Sequence, residues 1–192
     1  MLKANFITAQ EAAEKIQDGS ILCTIGMTLV SASESILKAI EKRFETVGHP
    51  ADITLVHSCG QSDRKDGIQH LAHEGLVKRI VGSHWGLQPR WMEMIANSQV
   101  EAYCLPQGQI AQLYRSMACG LPGKMSKVGL GTFIDPRVEG GKMNDRTKPL
   151  PDLVDILEYG GEEYMFYKEI PLDTVLIRGT VCDEMGNLTT TE

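Results

Sequence analysis

Two glycine-bearing segments give this chain places where a ligand could be held. In the first, the neutral amide of Gln107 stands between a proline and Gly108, and an amide offers a donor and an acceptor without carrying charge. The second, residues 129–137, opens with Gly129 and Gly131, where the backbone can approach a bound group closely. Such residues orient an acyl or carboxylate group, but they do not break a bond. We therefore expect a substrate-holding segment whose reactive residue lies elsewhere.

A third glycine segment supports a ligand-binding cleft. Gly26 and Met27 follow a predicted buried strand over residues 20–25. Gln107 follows a second predicted strand, residues 101–105, in the same way. Because ligands in parallel sheets gather at the carboxyl ends of strands, the two positions together predict one shared cleft.

Other chemical groups give weaker signals. His70 and His73 offer two imidazoles, but no acid or thiol motif supplies a further zinc ligand, so surface or core histidines are favoured and no metal is expected. Residues 58–61, Ser-Cys-Gly-Gln, follow a strand as a nucleophile would, yet they lack the GxSxG elbow, which favours a structural turn. Trp85 and Trp91 are expected to fill a core or an interface rather than to stack on a planar ligand.

A phosphate cradle is the alternative interpretation of Gly129-Leu130-Gly131. The sequence lacks the third glycine of a dinucleotide loop and the Lys-Ser/Thr pair of a P-loop. A turn that lets the chain pass close to its neighbours is therefore favoured.

Composition excludes several classes of function. The 192 residues are 42% hydrophobic, enough for one domain with a real core over residues 1–192. A formal net charge of −6 gives no electrostatic basis for nucleic-acid binding. With no apolar signal core and no run long enough to span a bilayer, a cytoplasmic protein without a membrane partner is expected. The five cysteines form no CxxC pair, which predicts buried free thiols.

Helix and strand signals alternate up to Gly123. Capping boxes at Thr8 and Ser31 predict two helix starts. The further predicted helices cover residues 70–76, 89–97 and 107–117, and the predicted strands cover residues 20–25, 53–57, 79–82 and 101–105. This alternation predicts an α/β fold, with an open, mainly parallel sheet layered with helices.

After Gly123 the chain is richer in glycine, proline and charge. Residues 162–167 and 173–181 are predicted strands, and a tight turn at residues 183–187 enters another strand that nothing follows to pair or cover. Because a domain rarely stops as a strand begins, we expect the sequence to be incomplete at its C-terminus.

Six ordered motifs cover nearly the whole chain. They are Asp18-Gly19 with Gly26-Met27, Ala72-His73-Glu74-Gly75-Leu76, Pro106-Gln107-Gly108, VGLGTFIDPR over residues 128–137, Gly140-Gly141-Lys142, and Ile177-Arg178-Gly179-Thr180 with residues 183–187. This set resembles family I coenzyme A transferases, most of all the single-chain short-chain acyl-CoA:carboxylate transferases. The resemblance implies that the chain is the N-terminal, alpha-like half and that a beta-like half is absent.

The resemblance also implies the reaction. In a ping-pong exchange between an acyl-CoA and a small carboxylic acid, a glutamate forms an acyl-glutamyl anhydride and then a glutamyl-CoA thioester. That glutamate belongs to the beta-like half, so no nucleophile is assigned within residues 1–192. Coenzyme A is then a substrate and a covalent intermediate rather than a permanently bound cofactor, and a homo-oligomer is expected.

By the same resemblance, Gln107 orients the catalytic glutamate and polarises the acyl carbonyl. Residues 129–133 close over the acyl pocket, and residues 58–60 border it. Met27 lines the pocket, although a plain core methionine is an equal alternative. The implied substrate-binding residues are Gly26, Met27, Gln107, Gly108, Gly129, Gly131, Thr132 and Phe133.

Two other functions remain open from the sequence. A related acyl-CoA hydrolase would use the same anhydride with water as the acceptor. A non-catalytic domain that binds a carboxylate or a sugar phosphate would need no glutamate at all.

Overall fold

The computed structural model describes residues 3–190. Its helices are α1 (Ala9–Glu14), α2 (Glu34–Val47), α3 (Pro89–Ala96) and α4 (Gln107–Ala118), with a 3-10 helix (Gly67–Leu71) between α2 and α3. Its strands are β1 (Ile21–Thr24), β2 (Ile53–His57), β3 (Val77–Gly82), β4 (Glu101–Cys104), β5 (Gly123–Ser126), β6 (Val154–Tyr159), β7 (Glu162–Lys168), β8 (Thr174–Leu176), β9 (Val181–Cys182) and β10 (Leu188–Thr189).

Five strands form a parallel sheet in the order β4-β3-β2-β1-β8. Successive residues along each strand face opposite sides of the sheet, so Leu22 joins one apolar core and Cys23 joins the other. Leu55 and Val56 divide between the two cores in the same way. The predicted α/β fold with an open, mainly parallel sheet is confirmed.

A three-stranded antiparallel sheet, in the order β5-β7-β6, was not predicted. Met165 and Tyr167 on β7 are buried in the same core as Ile110 and Leu113 on α4. The antiparallel sheet and α4 therefore share one face of the parallel sheet. Of the two strands predicted after Gly123, residues 162–167 are confirmed as β7.

The predicted strand over residues 173–181 is two separate strands, β8 in the parallel sheet and β9 in a hairpin. The turn at residues 183–187 is present, and β10 after it pairs antiparallel with β9. The Thr180 N–H donates to the Thr189 carbonyl at 2.7 Å. The last strand therefore has a partner, which precedes it in the chain rather than follows it.

The two predicted capping boxes have different outcomes. The Thr8 hydroxyl accepts from the Glu11 N–H at 3.2 Å, and the Thr8 N–H donates to the Glu11 carboxylate at 2.7 Å, so this box is confirmed. Ser31 is not a cap, because α2 begins at Glu34 and its N-cap, Ser33, makes no side-chain capping bond. The predicted helix over residues 70–76 was also wrong, since the chain there forms only the 3-10 helix that ends at Leu71.

Both tryptophans are buried, as predicted. Trp91 Nε1 donates to the Ile68 carbonyl at 2.8 Å, which satisfies its polar group inside the core. All five cysteines are free, but Cys23 is the one that is fully buried, and Cys119 and Cys182 are exposed. Within residues 3–190, no helix combines the length and the apolar character needed to cross a membrane.

Candidate substrate-binding site

Gln107 is the first residue of α4, directly beyond the carboxyl end of β4. Gln107 and Gly108 are both exposed. Pro106 stands at the N-cap and makes no side-chain capping bond. Among residues 3–190, no acceptor takes the N–H groups of Gln107 and Gly108, whereas the next two helical N–H groups donate to the Pro106 carbonyl. A helix start with free N–H groups attracts a negatively charged oxygen, and the Gln107 amide adds a further donor.

The Met27 loop, residues 26–31, leaves the carboxyl end of β1. Met27 and Val30 exchange two backbone hydrogen bonds, of 3.0 and 2.9 Å. Gly26 has a φ of 150°, and a Cβ there would lie 2.8 Å from the Val30 carbonyl oxygen. The close turn therefore requires glycine at this position. Met27 itself is 57% exposed, so the alternative that it is a core methionine is wrong within the described residues.

The Phe133 loop, residues 128–137, begins with a second close approach. Gly129 has a φ of 99°, and a Cβ there would lie 2.8 Å from both the Met165 sulfur and the Tyr167 hydroxyl oxygen. That hydroxyl donates to the Val128 carbonyl at 2.7 Å. A turn that passes close to its neighbours, as favoured from the sequence, is confirmed at Gly129.

Asp135 organises the rest of the Phe133 loop. Its carboxylate accepts the Gly131 N–H at 2.9 Å and the Arg137 backbone N–H at 3.0 Å. The Arg137 guanidinium also contacts Asp135 and reaches Glu163 on β7 at 2.9 Å. Thr132 and Phe133, at the tip, remain exposed. Sequence reasoning did not assign Asp135 or Arg137 a role, although both lie in the VGLGTFIDPR motif.

A backbone link joins the Phe133 loop to the start of α4. The Gly141 N–H donates to the Phe133 carbonyl at 2.9 Å, and the Gly141 carbonyl accepts from the Cys104 N–H at 2.7 Å. Cys104 ends β4, three residues before Gln107. The structure therefore attaches the Phe133 loop to the strand that leads into Gln107.

The Met27 loop shares the same edge of the sheet but lies farther from Gln107. β1 and β4 are separated by β2 and β3, and three strand spacings amount to about 14 Å. The predicted site residues thus form an exposed edge rather than a closed pocket. An apolar cavity of about 570 Å³ does lie nearby, between α4 and the β1–β8 edge, but its lining includes none of the predicted site residues.

His70 and His73 lie in a network of charged side chains. His70 Nδ1 contacts Glu41 at 2.5 Å and its Nε2 contacts Glu34 at 2.8 Å, while His73 Nε2 contacts Glu41 at 2.8 Å. Partial burial disfavours the charged imidazolium, but the hydrogen bonds to Glu41 and Glu34 outweigh it, so the pKa of His70 is raised. Lys38 lies 3.0 Å from Glu34 and supplies a further positive charge.

Carboxylates therefore do accompany these histidines, although the sequence offered no acid at a suitable spacing. Glu34, Asp66 and His70 come close enough to share one ion. The acids come from α2 and from the turn before the 3-10 helix, so no local motif reveals them. Lys38 also contacts Asp66, at 3.2 Å, and the protein's own cations thus lie against these carboxylates.

Comparison with known proteins identifies the family of this chain. The sequence profile described as "Coenzyme A transferase" matches residues 6–192. The chain belongs to the coenzyme A transferase family. It is similar to caffeate CoA-transferase of Acetobacterium woodii, with 43% identity over 187 residues, which make up 97% of this chain and 35% of that relative.

The chain is also similar to a solved transferase structure and to a separate alpha subunit. The acyl-CoA transferase YdiF of Escherichia coli O157:H7, in a thioester complex with CoA, matches with a TM-score of 0.89 and 35% identity, covering 95% of this chain and 36% of that one. The acetate CoA-transferase subunit alpha of Escherichia coli K12 is 24% identical over 98% of this chain and 76% of that subunit. The chain thus spans about a third of the length of the first two relatives. The resemblance to the alpha-like half of a family I coenzyme A transferase is confirmed.

Proposed function

We propose that this chain is the substrate-holding, alpha-like domain of a short-chain acyl-CoA:carboxylate CoA-transferase. A beta-like half supplies the glutamate nucleophile and most contacts to coenzyme A, which is a substrate and a covalent intermediate. The exchange is ping-pong, through an acyl-glutamyl anhydride and a glutamyl-CoA thioester. A cytoplasmic location and a homo-oligomeric assembly are part of the same proposal.

The start of α4 carries this proposal. It presents three uncharged donors together: the N–H groups of Gln107 and Gly108 and the side-chain amide of Gln107. A carboxylate nucleophile needs to be oriented without being neutralised by a cation, because an ion pair would lower its reactivity. Donors aimed at an oxygen that becomes negative in the transition state stabilise that state preferentially. The geometry therefore fits a glutamate and a thioester carbonyl supplied from outside this chain.

The exposed loops support the need for a second half. Met27 and Phe133 are large apolar side chains, 57% and 41% exposed, at the edge where Gln107 lies. A beta-like half packed over this edge would exclude water from the acyl group. The names of the relatives, caffeate and acetate CoA-transferase, agree with CoA transfer to a carboxylic acid.

The experiment is the Gln107→Ala substitution in the chain joined to its beta-like half. We expect kcat to fall on the order of 10²-fold, comparable to the loss of one oxyanion donor. Gln112→Ala is the matched control, because Gln112 is an exposed glutamine on the same helix, away from its first turn. Its kcat should stay within twofold of wild type. Equal kcat values for wild type and Gln107→Ala would show that Gln107 is not part of the site.

Hydrolysis and transfer are distinguished by the acceptor. Acyl-CoA consumption that requires added acetate and yields acetyl-CoA supports the transferase. If acyl-CoA is consumed at the same rate without acetate and free coenzyme A is the product, the enzyme is the related hydrolase. No reaction with any short-chain acyl-CoA would favour a binding domain without catalysis.

A further inference from the structure

The turn after β2 contacts the Met27 loop and the end of β1, from which that loop leaves. This segment, residues 58–61, is called the Gln61 turn here. Its Gly60 carbonyl accepts from the Thr28 N–H at 2.8 Å. The Gln61 side chain reaches across, and its Nε2 donates to the Thr24 carbonyl at 2.7 Å. The Gln61 contact therefore holds the end of β1, and the Gly60 contact holds the Met27 loop itself.

The Gln61 turn is itself fixed by the ends of β2 and β3. His57 Nδ1 donates to the Cys59 carbonyl at 2.7 Å, because a carbonyl oxygen can only accept. Burial lowers the pKa of His57 to about 4, so the ring is neutral near pH 7. The Ser83 hydroxyl donates to the Ser58 carbonyl at 2.5 Å. The Gln88 amide, in the orientation that satisfies both its groups, accepts the Gln61 N–H at 3.0 Å. The turn thus offers a rigid support.

The Met27 loop needs such a support. Thr28 and Ser31 both have left-handed backbone conformations, with φ of 51° and 61°. Side chains other than glycine and asparagine adopt this region at a cost, and such residues persist when surrounding contacts determine their conformation. The Met27–Val30 pair closes the loop locally, but it does not fix the loop against the sheet.

We propose that Gln61 is a positioning residue for the acyl-binding edge: its buried amide, together with the Gly60 carbonyl, holds the Met27 loop in the conformation that sets the width of the acyl pocket. The role of Met27 in that pocket rests on the proposed function. The two contacts at Thr24 and Thr28, called the brace here, do not rest on it, because both lie within residues 24–61. Gln61 is fully buried, and therefore acts through the loop rather than by touching substrate.

Gln61→Met tests the brace, since methionine has a similar length and volume but cannot donate to the Thr24 carbonyl. Gln69→Met is the matched control. Gln69 is also buried, and its Nε2 also donates to a backbone carbonyl, that of Arg64, at 3.1 Å. Both variants therefore lose one buried amide and one hydrogen bond, but only the Gln61 bond is made to the end of β1, from which the Met27 loop leaves.

The first readout is hydrogen exchange resolved to single residues. In wild type, the Thr28 amide should be protected and the Ser31 amide, which donates to no acceptor among residues 3–190, should exchange freely. We expect exchange of the Thr28 amide to rise about tenfold in Gln61→Met and to change less than twofold in Gln69→Met. An unprotected Thr28 amide in wild type overturns the brace, even if Gln61→Met does not fold.

The second readout is acyl selectivity in the chain joined to its beta-like half. We expect Gln61→Met to change the ratio of kcat/KM for acetyl-CoA to that for butyryl-CoA on the order of tenfold, mainly through KM. Gln69→Met should keep the wild-type ratio. If both variants change this kcat/KM ratio equally, Gln61 has only a structural role. If wild type transfers no CoA, the proposed function fails, and the exchange experiment still decides whether Gln61 holds the loop.

Discussion

The Arg137 guanidinium donates two hydrogen bonds to the Asp135 carboxylate, from Nε to Oδ1 at 3.0 Å and from Nη2 to Oδ2 at 2.8 Å. Asp135 is 1% exposed, and the same carboxylate accepts the Gly131 N–H. The hydrogen bonds from Arg137 hold the pKa of Asp135 well below its usual range. This pair therefore fixes the Phe133 loop through an ionised carboxylate.

Asp135→Asn should lower the free energy of unfolding by about 2 kcal/mol at pH 7, because charge-assisted hydrogen bonds are lost from a buried side chain. Since the folded pKa is depressed, the stabilisation is fully present above the unfolded pKa of about 3.9 and is lost as pH falls below it. Urea denaturation of wild type and variant between pH 3 and pH 7 measures this.

Asp145→Asn is the control for that prediction. Asp145 also pairs with a cation, Lys148, at 2.6 Å, but its side chain is 85% exposed. Exposed pairs contribute little, so the urea midpoint of this variant should match that of wild type. Equal destabilisation by both variants, or an Asp135 effect that persists undiminished at pH 3, would contradict the ionised role of Asp135.

Gly129→Ala should destabilise the chain by about 3 kcal/mol, because the new methyl group meets the Met165 sulfur and the Tyr167 hydroxyl at a strained φ. Gly131→Ala separates the two causes. Gly131 also has a positive φ, of 70°, but a Cβ there meets nothing within 4 Å, so only backbone strain of about 1 kcal/mol is expected. Urea denaturation that finds equal losses would show that the contact with β7 contributes nothing.

Met27→Ala should leave stability unchanged and alter substrate choice. The side chain is exposed in this chain, so unfolding should stay within about 0.5 kcal/mol of wild type. With the beta-like half present, kcat/KM should shift toward longer acyl groups on the order of tenfold, as expected when a pocket gains volume. Val47→Ala, an exposed apolar side chain at the end of α2, is the control and should not shift it. An unchanged acyl preference in Met27→Ala would show that Met27 does not line the acyl pocket.

His70 should make stability depend on pH near neutrality. Its pKa is raised in the folded chain by Glu41 and Glu34 despite partial burial, so its contribution is fully present below the unfolded pKa of about 6.5 and is lost as pH rises through the folded pKa. The gap between wild type and His70→Gln, measured by urea denaturation, should therefore narrow from pH 6 to pH 9. A gap that widens over this range would contradict the charged state of His70.

His49→Gln is the control for His70. His49 contacts Asp18 at 2.8 Å, but both side chains are about half exposed. Solvent screens such a pair, so His49→Gln should leave the urea midpoint close to that of wild type.

Local signals in the sequence predicted local structure only where tertiary contacts did not compete. Thr8 and Glu11 form the predicted capping box because both partners lie within one turn. Ser31 and Glu34 have the same spacing, but Ser31 adopts a φ of 61°. The Glu34 carboxylate instead accepts the Gly67 N–H at 2.9 Å and contacts His70. A long-range contact therefore replaced the cap.

The antiparallel sheet was missed because two of its strands, β5 and β6, carry little burial pattern. In β6 only Val154 is buried, so no alternation of apolar and polar residues marks the strand. The Gly160-Gly161 pair between β6 and β7 was an available hairpin signal, since such pairs suit two-residue turns. β5 begins at Gly123, which was interpreted only as the point where the alternating helix and strand signals end.

The positions of Gly26 and Gln107 in the fold were predictable because topology determines them. Gly26 and Gln107 both follow strands of a parallel sheet, and the rule on carboxyl ends placed them at one edge. The contacts that hold the loops could not be predicted in this way. Gly141 joins the Phe133 loop to β4, Gly60 joins the Met27 loop to the turn after β2, and Gln61 joins the end of β1 to that turn. No spacing in the sequence connects these backbone groups and side chains.

The most direct test of the central claim is to trap the covalent intermediate. The chain joined to its beta-like half is mixed with an acyl-CoA and no acceptor, the glutamyl thioester is reduced with borohydride, and the modified peptide is identified by mass spectrometry. We predict a reduced glutamate outside residues 1–192, formed on the order of 10²-fold more slowly in Gln107→Ala. A modified residue within this chain, or an unchanged rate in Gln107→Ala, would contradict the assignment of this chain as the holder and of Gln107 as its orienting amide.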